Sequence, residues 1–173
     1  MSSSYQVVLA KRDHVEQLQT IELAAATIFS DEDVPENIRL TATSLDDFSS
    51  AQADGMLWTA LSSDGTPVGF AIVRMLDDLA YLQEIGVHPD HGRRGIGTAL
   101  IHAVFAWARS HSIEAVTLTT FRHLPWNAPF YERLGFRLLN QGELTTGLEA
   151  VLAVEKAEGL DPTKRVAMLM LLR

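Results

Sequence analysis

His88-Pro89-Asp90-His91-Gly92-Arg93-Arg94-Gly95-Ile96-Gly97-Thr98-Ala99-Leu100 decides the fold, because an apolar run from Leu79 to Val87 enters it and an amphipathic helical pattern leaves it. Beyond Gly95, Ile96, Leu100, Ala103, Val104 and Trp107 fall at helical spacing, ending near Ser110. A strand feeding a Gly-Arg loop that opens a helix builds an anion site. The first amides of a helix lack partners, its N-terminus carries roughly half a positive charge, and glycines admit a bulky phosphate. Arg93 and Arg94 add fixed charge beside it. The glycine order, Gly92-x-x-Gly95-x-Gly97, is neither the G-x-G-x-x-G of a dinucleotide turn nor a lysine-bearing P-loop. A hairpin precedes the loop, where those folds need a parallel βαβ unit. Taken as glycines alone, the pattern equally describes an ordinary strand-to-helix turn.

Working outward toward the N-terminus, Tyr5 to Leu9 reads as a strand, and Asp13 with Glu16 has the capping-box spacing that starts a helix through about Phe29. The segment Ser30 to Pro35 breaks it, and Ser44 with Asp47 caps a second helical region through about Ala53. Met56 to Leu61 and Pro67 to Met75 are strands joined at Ser63-Asp64-Gly65, a strong hairpin signal, and Asp77-Asp78 turns into the strand that ends at Val87. Toward the C-terminus come a strand from Ala115 to Thr120, a Pro-bounded loop, and a short helix through Leu134 with Gly135 in the left-handed position after it. A strand from Phe136 to Leu139, a helix from Leu148 to Glu158 and a last strand from Val166 to Leu172 follow. This order predicts one α/β domain, residues 1–173, with a mixed sheet covered by helices on both faces.

With 173 residues, 47% of them hydrophobic, the chain can bury one good core. It has no cysteine, which excludes disulfides and thiolate zinc sites. Met1-Ser2-Ser3-Ser4 carries no basic segment leading into an apolar run, and no apolar stretch reaches bilayer length, so a cytoplasmic protein with no membrane partner is expected. A net charge of −8 argues against nucleic-acid binding and makes the local Gly92-Arg93-Arg94 cluster more notable. His88, His91, His102, His111 and His123 form no ligand pattern, so no metal is expected.

Ile85-Gly86-Val87-His88-Pro89-Asp90-His91-Gly92-Arg93-Arg94-Gly95-Ile96-Gly97-Thr98-Ala99-Leu100 resembles the coenzyme-A motif of the GNAT superfamily of N-acetyltransferases. Asn127-Ala128-Pro129-Phe130-Tyr131-Glu132-Arg133-Leu134-Gly135-Phe136 resembles that superfamily's other signature, at the right distance with one helix and one strand between. The resemblance implies a mostly antiparallel sheet with a splayed central strand pair, acetyl-CoA as acyl-donor co-substrate, and a small-molecule or peptide amine as acceptor. It also implies roles for particular residues. Ile85, Gly86 and Val87 would line the donor's pantetheine arm, which pairs with the Val87 backbone as an added strand does, and the Val87 amide would face the developing oxyanion. Amides of Arg93, Arg94, Gly95, Ile96, Gly97 and Thr98 would hold the pyrophosphate. Gly92 stands where the R/Q-x-x-G-x-G/A pattern has a side chain, a departure that leaves Arg93 or Arg94 to substitute. The superfamily's first two helices usually wall the acceptor pocket, which here offers Glu22, Phe29 and the acidic run Asp31-Glu32-Asp33, with His123 in a facing loop; the acidic run equally describes a solvated helix end.

Acyl transfer to an amine needs the amine neutral, a donor for the developing oxyanion and a proton for the departing thiolate. A lysine-like amine is neutral in only about one molecule in 2,500 at pH 7, so a base helps. Glu84, in an apolar strand where an unpaired carboxylate is costly to bury, is the candidate base; a structural salt bridge, an acceptor-binding role and a water chain are the alternatives. Tyr131 matches the family tyrosine that protonates the thiolate. Asn127 lies four residues before it, where relatives carry an asparagine seven before, and it either reaches the cofactor or caps the helix. A non-catalytic acyl-CoA-binding module, a longer acyl donor and an alcohol acceptor stay open, as does pairing of the final strand in a homodimer.

Overall fold

The computed structural model describes residues 4–173; Met1–Ser3, part of the stretch in which no leader pattern is found, lie outside the described residues. Backbone pairing orders seven strands β1-β2-β3-β4-β5-β7-β6 in a mixed, mostly antiparallel sheet. They are β1 (Gln6–Leu9), β2 (Leu57–Leu61), β3 (Pro67–Leu76), β4 (Leu79–Val87), β5 (Ala115–Phe121), β6 (Arg137–Leu138) and β7 (Arg165–Leu171). The helices are α1 (Val15–Ala25), α2 (Glu36–Arg39), α3 (Leu45–Ala53), α4 (Ile96–Ser110), α5 (Ala128–Arg133) and α6 (Thr146–Glu158). Strand β4 runs parallel to β5, with Ala80↔Val116 and Tyr81↔Thr117 as registered partners, whereas β5 pairs antiparallel with β7 along all its residues from Ala115↔Leu171 to Phe121↔Arg165.

The chain forms two compact units, one comprising residues up to Arg74 with Gln83–Ala106, the other Met75–Leu82 with Trp107–Arg173. The first unit's core joins Ala10, Val15, Leu18, Ile21, Phe48, Leu57, Phe70 and Ile72, so α1 and α3 bury their apolar sides on β2 and β3. In the second, Tyr81, Leu148 and Ala167 form a core against Leu76, Leu139, Leu144, Val151 and Leu152, which seats α6 on the strands. Among the described residues no helix is long and apolar enough to cross a membrane.

Local chemistry places most boundaries. The Ser44 hydroxyl caps α3 by accepting from the Asp47 amide at 3.1 Å, and Gly135 takes a φ of +103° after α5. Asp77 and Asp78 both adopt left-handed backbone, φ +52° and +61°, the pattern of a tight hairpin. Asp77 also braces α6, where its Oδ2 accepts from the Gly147 amide at 3.0 Å in the first turn. The start of α1 differs from expectation. Its entry is a 3-10 turn, Arg12–His14, closed by the Lys11 amide donating to His14 Nδ1 at 3.1 Å, so the Asp13/Glu16 capping box does not form. The helix also ends earlier, in a second 3-10 turn over Ala26–Ile28, and the short α2 was not expected within the linker. Pro35 starts that helix at its N-cap position, where its fixed φ is compatible with a helix entry.

Candidate active site

The candidate residues divide between the units: Glu22, Phe29 and the stretch from Glu84 to Thr98 in the first, His123, Asn127 and Tyr131 in the second. In the first unit, two helices close on the end of β4. A Cβ added at Gly86 would stand 2.8 Å from the Phe70 ring and 3.5 Å from Ala25 of α1. On the opposite face a Cβ at Gly69 would stand 3.1 Å from the Gly86 carbonyl and 3.2 Å from Ile96 of α4. Gly86 is thus a buried packing position, and only its backbone is open to a ligand role.

The His88 amide donates to the Val68 carbonyl of β3 at 2.9 Å. Successive amides of an extended strand point to opposite edges, so the Val87 amide points away from β3, as an oxyanion or pantetheine donor must. The Ile85 amide shares that direction and donates to Oε1 of Glu84 at 3.3 Å. Contrary to the burial that its apolar strand predicts, Glu84 is exposed: the buried run of β4, Ala80–Leu82, stops short of it. Its charge therefore carries little desolvation cost, and its case as a base rests on accessibility instead of strain.

The loop beyond β4 is a 3-10 turn, Pro89–His91, in which His88 Nδ1 accepts from the Asp90 amide at 3.2 Å. Arg93 and Gly95 then take positive φ, +58° and +79°. Left-handed backbone costs a non-glycine residue about 1–2 kcal/mol, a strain that Arg93 bears in the heart of the motif. The Ala99 amide donates to the Gly95 carbonyl at 3.0 Å, so the amides of Ile96, Gly97 and Thr98 precede the helical ladder of α4. Both arginines are exposed, and Arg94 Nη1 donates to the Tyr5 hydroxyl at 2.8 Å.

Glu22 and Phe29 bracket Ala25, the residue beneath Gly86, so the end of α1 and the end of β4 meet within this unit. The Glu22 carboxylate accepts from the Thr43 amide at 2.9 Å and the Thr43 hydroxyl at 3.0 Å. Burial is the larger influence and raises its pKa above the ordinary 4.5 despite those bonds. A carboxyl that holds its proton more tightly when folded stabilises the fold at low pH, and this contribution is lost as pH rises from about the ordinary value through the raised one. Urea unfolding followed across that window should show the stability of the wild type relative to Glu22→Gln falling as pH rises; identical slopes would refute the assignment. The acidic run is tied locally, Asp31 to Arg39 and Asp33 to the Ser30 hydroxyl at 3.2 Å, as in a solvated helix end. Phe29 is half-buried where the last 3-10 turn opens into extended chain.

In the second unit, His123 is exposed just past β5, its ring edge-on to Phe121 at 6.0 Å. Asn127 occupies the N-cap position of α5 and makes no capping bond. Its Nδ2 donates to the Trp126 carbonyl at 3.3 Å, while Oδ1 is buried with no partner. An unsatisfied buried acceptor costs about 1–3 kcal/mol, and Asn127 does not cap the helix. Tyr131 is buried, its amide donating to the Asn127 carbonyl at 3.0 Å and its ring edge-on to Phe130 at 5.2 Å and Phe136 at 5.6 Å. Leu124, seven residues before Tyr131, is buried. Among the described residues no group of three or more His, Asp or Glu side chains could hold a metal ion. Sequence reasoning passed over Tyr5 and Thr43; Tyr5 reaches Arg94 from 89 residues away, a separation with no local pattern to announce it.

The model of the family described as acetyltransferase (GNAT) matches residues 17–136. The chain is 38% identical over 74 residues to the mycothiol acetyltransferase of Nocardiopsis dassonvillei, covering 38% of this chain and 22% of that protein. It is 37% identical over 68 residues to an aminoglycoside N(6')-acetyltransferase type 1 of Stenotrophomonas maltophilia, covering 34% of this chain and 44% of that one. The chain thus spans less than half the length of these curated relatives. The crystal structure of the PaiA N-acetyltransferase of Thermoplasma acidophilum in complex with coenzyme A superposes over 97% of this chain and 99% of that one, with a TM-score of 0.69 and 17% identity, and shares its fold.

Proposed function

Because the chain belongs to the GNAT acetyltransferase family, we propose that it is an N-acetyltransferase. It moves an acetyl group from acetyl-CoA to a primary amine of a small molecule or peptide by direct attack in a ternary complex. The observation that carries this reading is the loop, where Arg93 and Gly95 take left-handed backbone and the amides of Ile96, Gly97 and Thr98 precede helical pairing. Such a run of unpaired amides at a fifteen-residue helix suits a pyrophosphate, so these residues fit the donor.

Acetyl-CoA supplies the activated thioester carbonyl. Amides of Arg93 to Thr98 bind its pyrophosphate, the outward amides of Ile85 and Val87 flank its pantetheine arm, and the Val87 amide receives the developing oxyanion charge. The buried, unpartnered Oδ1 of Asn127 suits an amide N–H of the kind that arm carries. Glu84, exposed, takes the proton of the incoming ammonium, and Tyr131 returns one to the departing thiolate. Glu22, Phe29 and His123 are assigned to the acceptor. An amine acceptor is favoured by the curated relative from Stenotrophomonas maltophilia, whose name specifies the 6' nitrogen of an aminoglycoside.

Acetyl-CoA at a hundredfold excess over its Kd should stabilise the protein by about 2.7 kcal/mol, read as a rise in thermal midpoint. No shift at saturation rejects the donor assignment. Thiol release across a panel of polyamines, aminoglycosides and peptide N-termini then reads the transfer, with Glu84→Gln expected to lower turnover on the best acceptor about a hundredfold. Donor binding without thiol release from any amine would mark a non-catalytic binding module.

A further inference from the structure

Three side chains form a bond chain on the loop between β4 and α4, and the donor reading does not use it. Arg94 Nη1 lies 2.8 Å from the Tyr5 hydroxyl oxygen, and that oxygen lies 3.0 Å from His91 Nδ1. A guanidinium has no acceptor, so the tyrosine oxygen accepts from Arg94, and the same hydroxyl shares a hydrogen bond with His91 Nδ1. The Tyr5 and His91 rings also meet edge to face, centroids 5.8 Å apart. Tyr5 is half-buried just ahead of β1, while His91 ends the 3-10 turn and Arg94 sits one residue before Gly95. The brace therefore fixes an exposed arginine side chain at the mouth of the amide loop, the part of the motif where Gly92 leaves the family's side-chain position empty.

We propose that Tyr5 is a positioning residue for the acyl donor: held by His91, its hydroxyl presets the Arg94 guanidinium to meet the donor's phosphates. The inference rests on the proposed donor site. Only one of the guanidinium's five N–H donors is engaged by Tyr5, which leaves the rest for phosphate oxygens. An arginine left to wander must be ordered at the moment of binding; one already ordered in the free protein is not charged that entropy again.

Isothermal titration of the full chain with coenzyme A, and separately with pantetheine, which lacks the phosphates, tests this. Tyr5→Phe removes one hydroxyl and keeps the ring contact, so the thermal midpoint of the free protein should move little. The expected result is a rise of about three- to tenfold in the Kd for coenzyme A with no change for pantetheine. In an Arg94→Gln background, Tyr5→Phe should add nothing, because the residue it positions is gone. Equal losses for both ligands, no loss for coenzyme A, or a full effect of Tyr5→Phe without Arg94 would each overturn the proposal. Failure of the wild type to bind coenzyme A at all would instead reject the donor site, and this inference with it.

Discussion

Arg165→Met should lower the free energy of unfolding by about 3–5 kcal/mol, a large part of what holds a domain of this size together. Arg165 opens β7 and meets Glu155 of α6 through two bonds, Nε to Oε2 at 3.1 Å and Nη2 to Oε1 at 2.8 Å. The same carboxylate accepts from the Thr119 hydroxyl at 2.6 Å, and Thr119 Oγ1 lies 3.1 Å from the Tyr81 hydroxyl, so a chain of polar groups links β4, β5, β7 and α6 within one unit. The guanidinium also sits 4.4 Å from the Phe121 ring centroid. The two side chains are only 11% and 14% exposed, so water can do little for Glu155 once its partner is gone. Thr119 alone would then face a half-buried carboxylate. Replacing both partners, Glu155→Leu with Arg165→Met, removes the stranded charge as well as the pair and should recover much of the loss. Urea unfolding at constant m-value measures all three variants. A loss under about 1 kcal/mol for Arg165→Met would mean that the pair behaves as a surface contact.

The Glu155–Arg165 pair also marks where sequence reading stops. Elements with strong local chemistry were legible: the Leu79–Val87 strand and the helix from Ile96 to Ser110 stand where periodicity puts them, and Ser44 and Gly135 cap and terminate as their residue types require. Elements fixed by a single bond were not. The entry to α1 depends on His14 reaching back to the Lys11 amide, a contact that competes with an equally good capping-box spacing three residues long. Glu84 shows a different limit, since apolar neighbours predict a central strand without saying which of its positions are covered. It is exposed although Leu82 before it and Gly86 after it are buried, which only the packed structure reveals. Long-range partnerships were invisible altogether: nothing near Arg94 or Glu22 points to Tyr5 or Thr43.

Tyr131→Phe should reduce kcat about a hundredfold or more while leaving donor affinity nearly intact. The variant deletes only the phenol oxygen. The ring contacts with Phe130 and Phe136 and the amide bond to the Asn127 carbonyl belong to parts of the residue that phenylalanine retains. A buried ring that served packing alone would therefore tolerate the change in kcat. If the hydroxyl delivers a proton to the departing thiolate, its loss is felt in the transition state and hardly in the ground state, so kcat and kcat/KM should fall together with KM unchanged. A donor-binding role predicts the opposite split, a raised KM for acetyl-CoA with kcat preserved. Steady-state kinetics with the best amine acceptor, alongside titration of each protein with coenzyme A, separates these outcomes. Wild-type kcat in Tyr131→Phe would remove the residue from proton transfer, whatever its place in the motif.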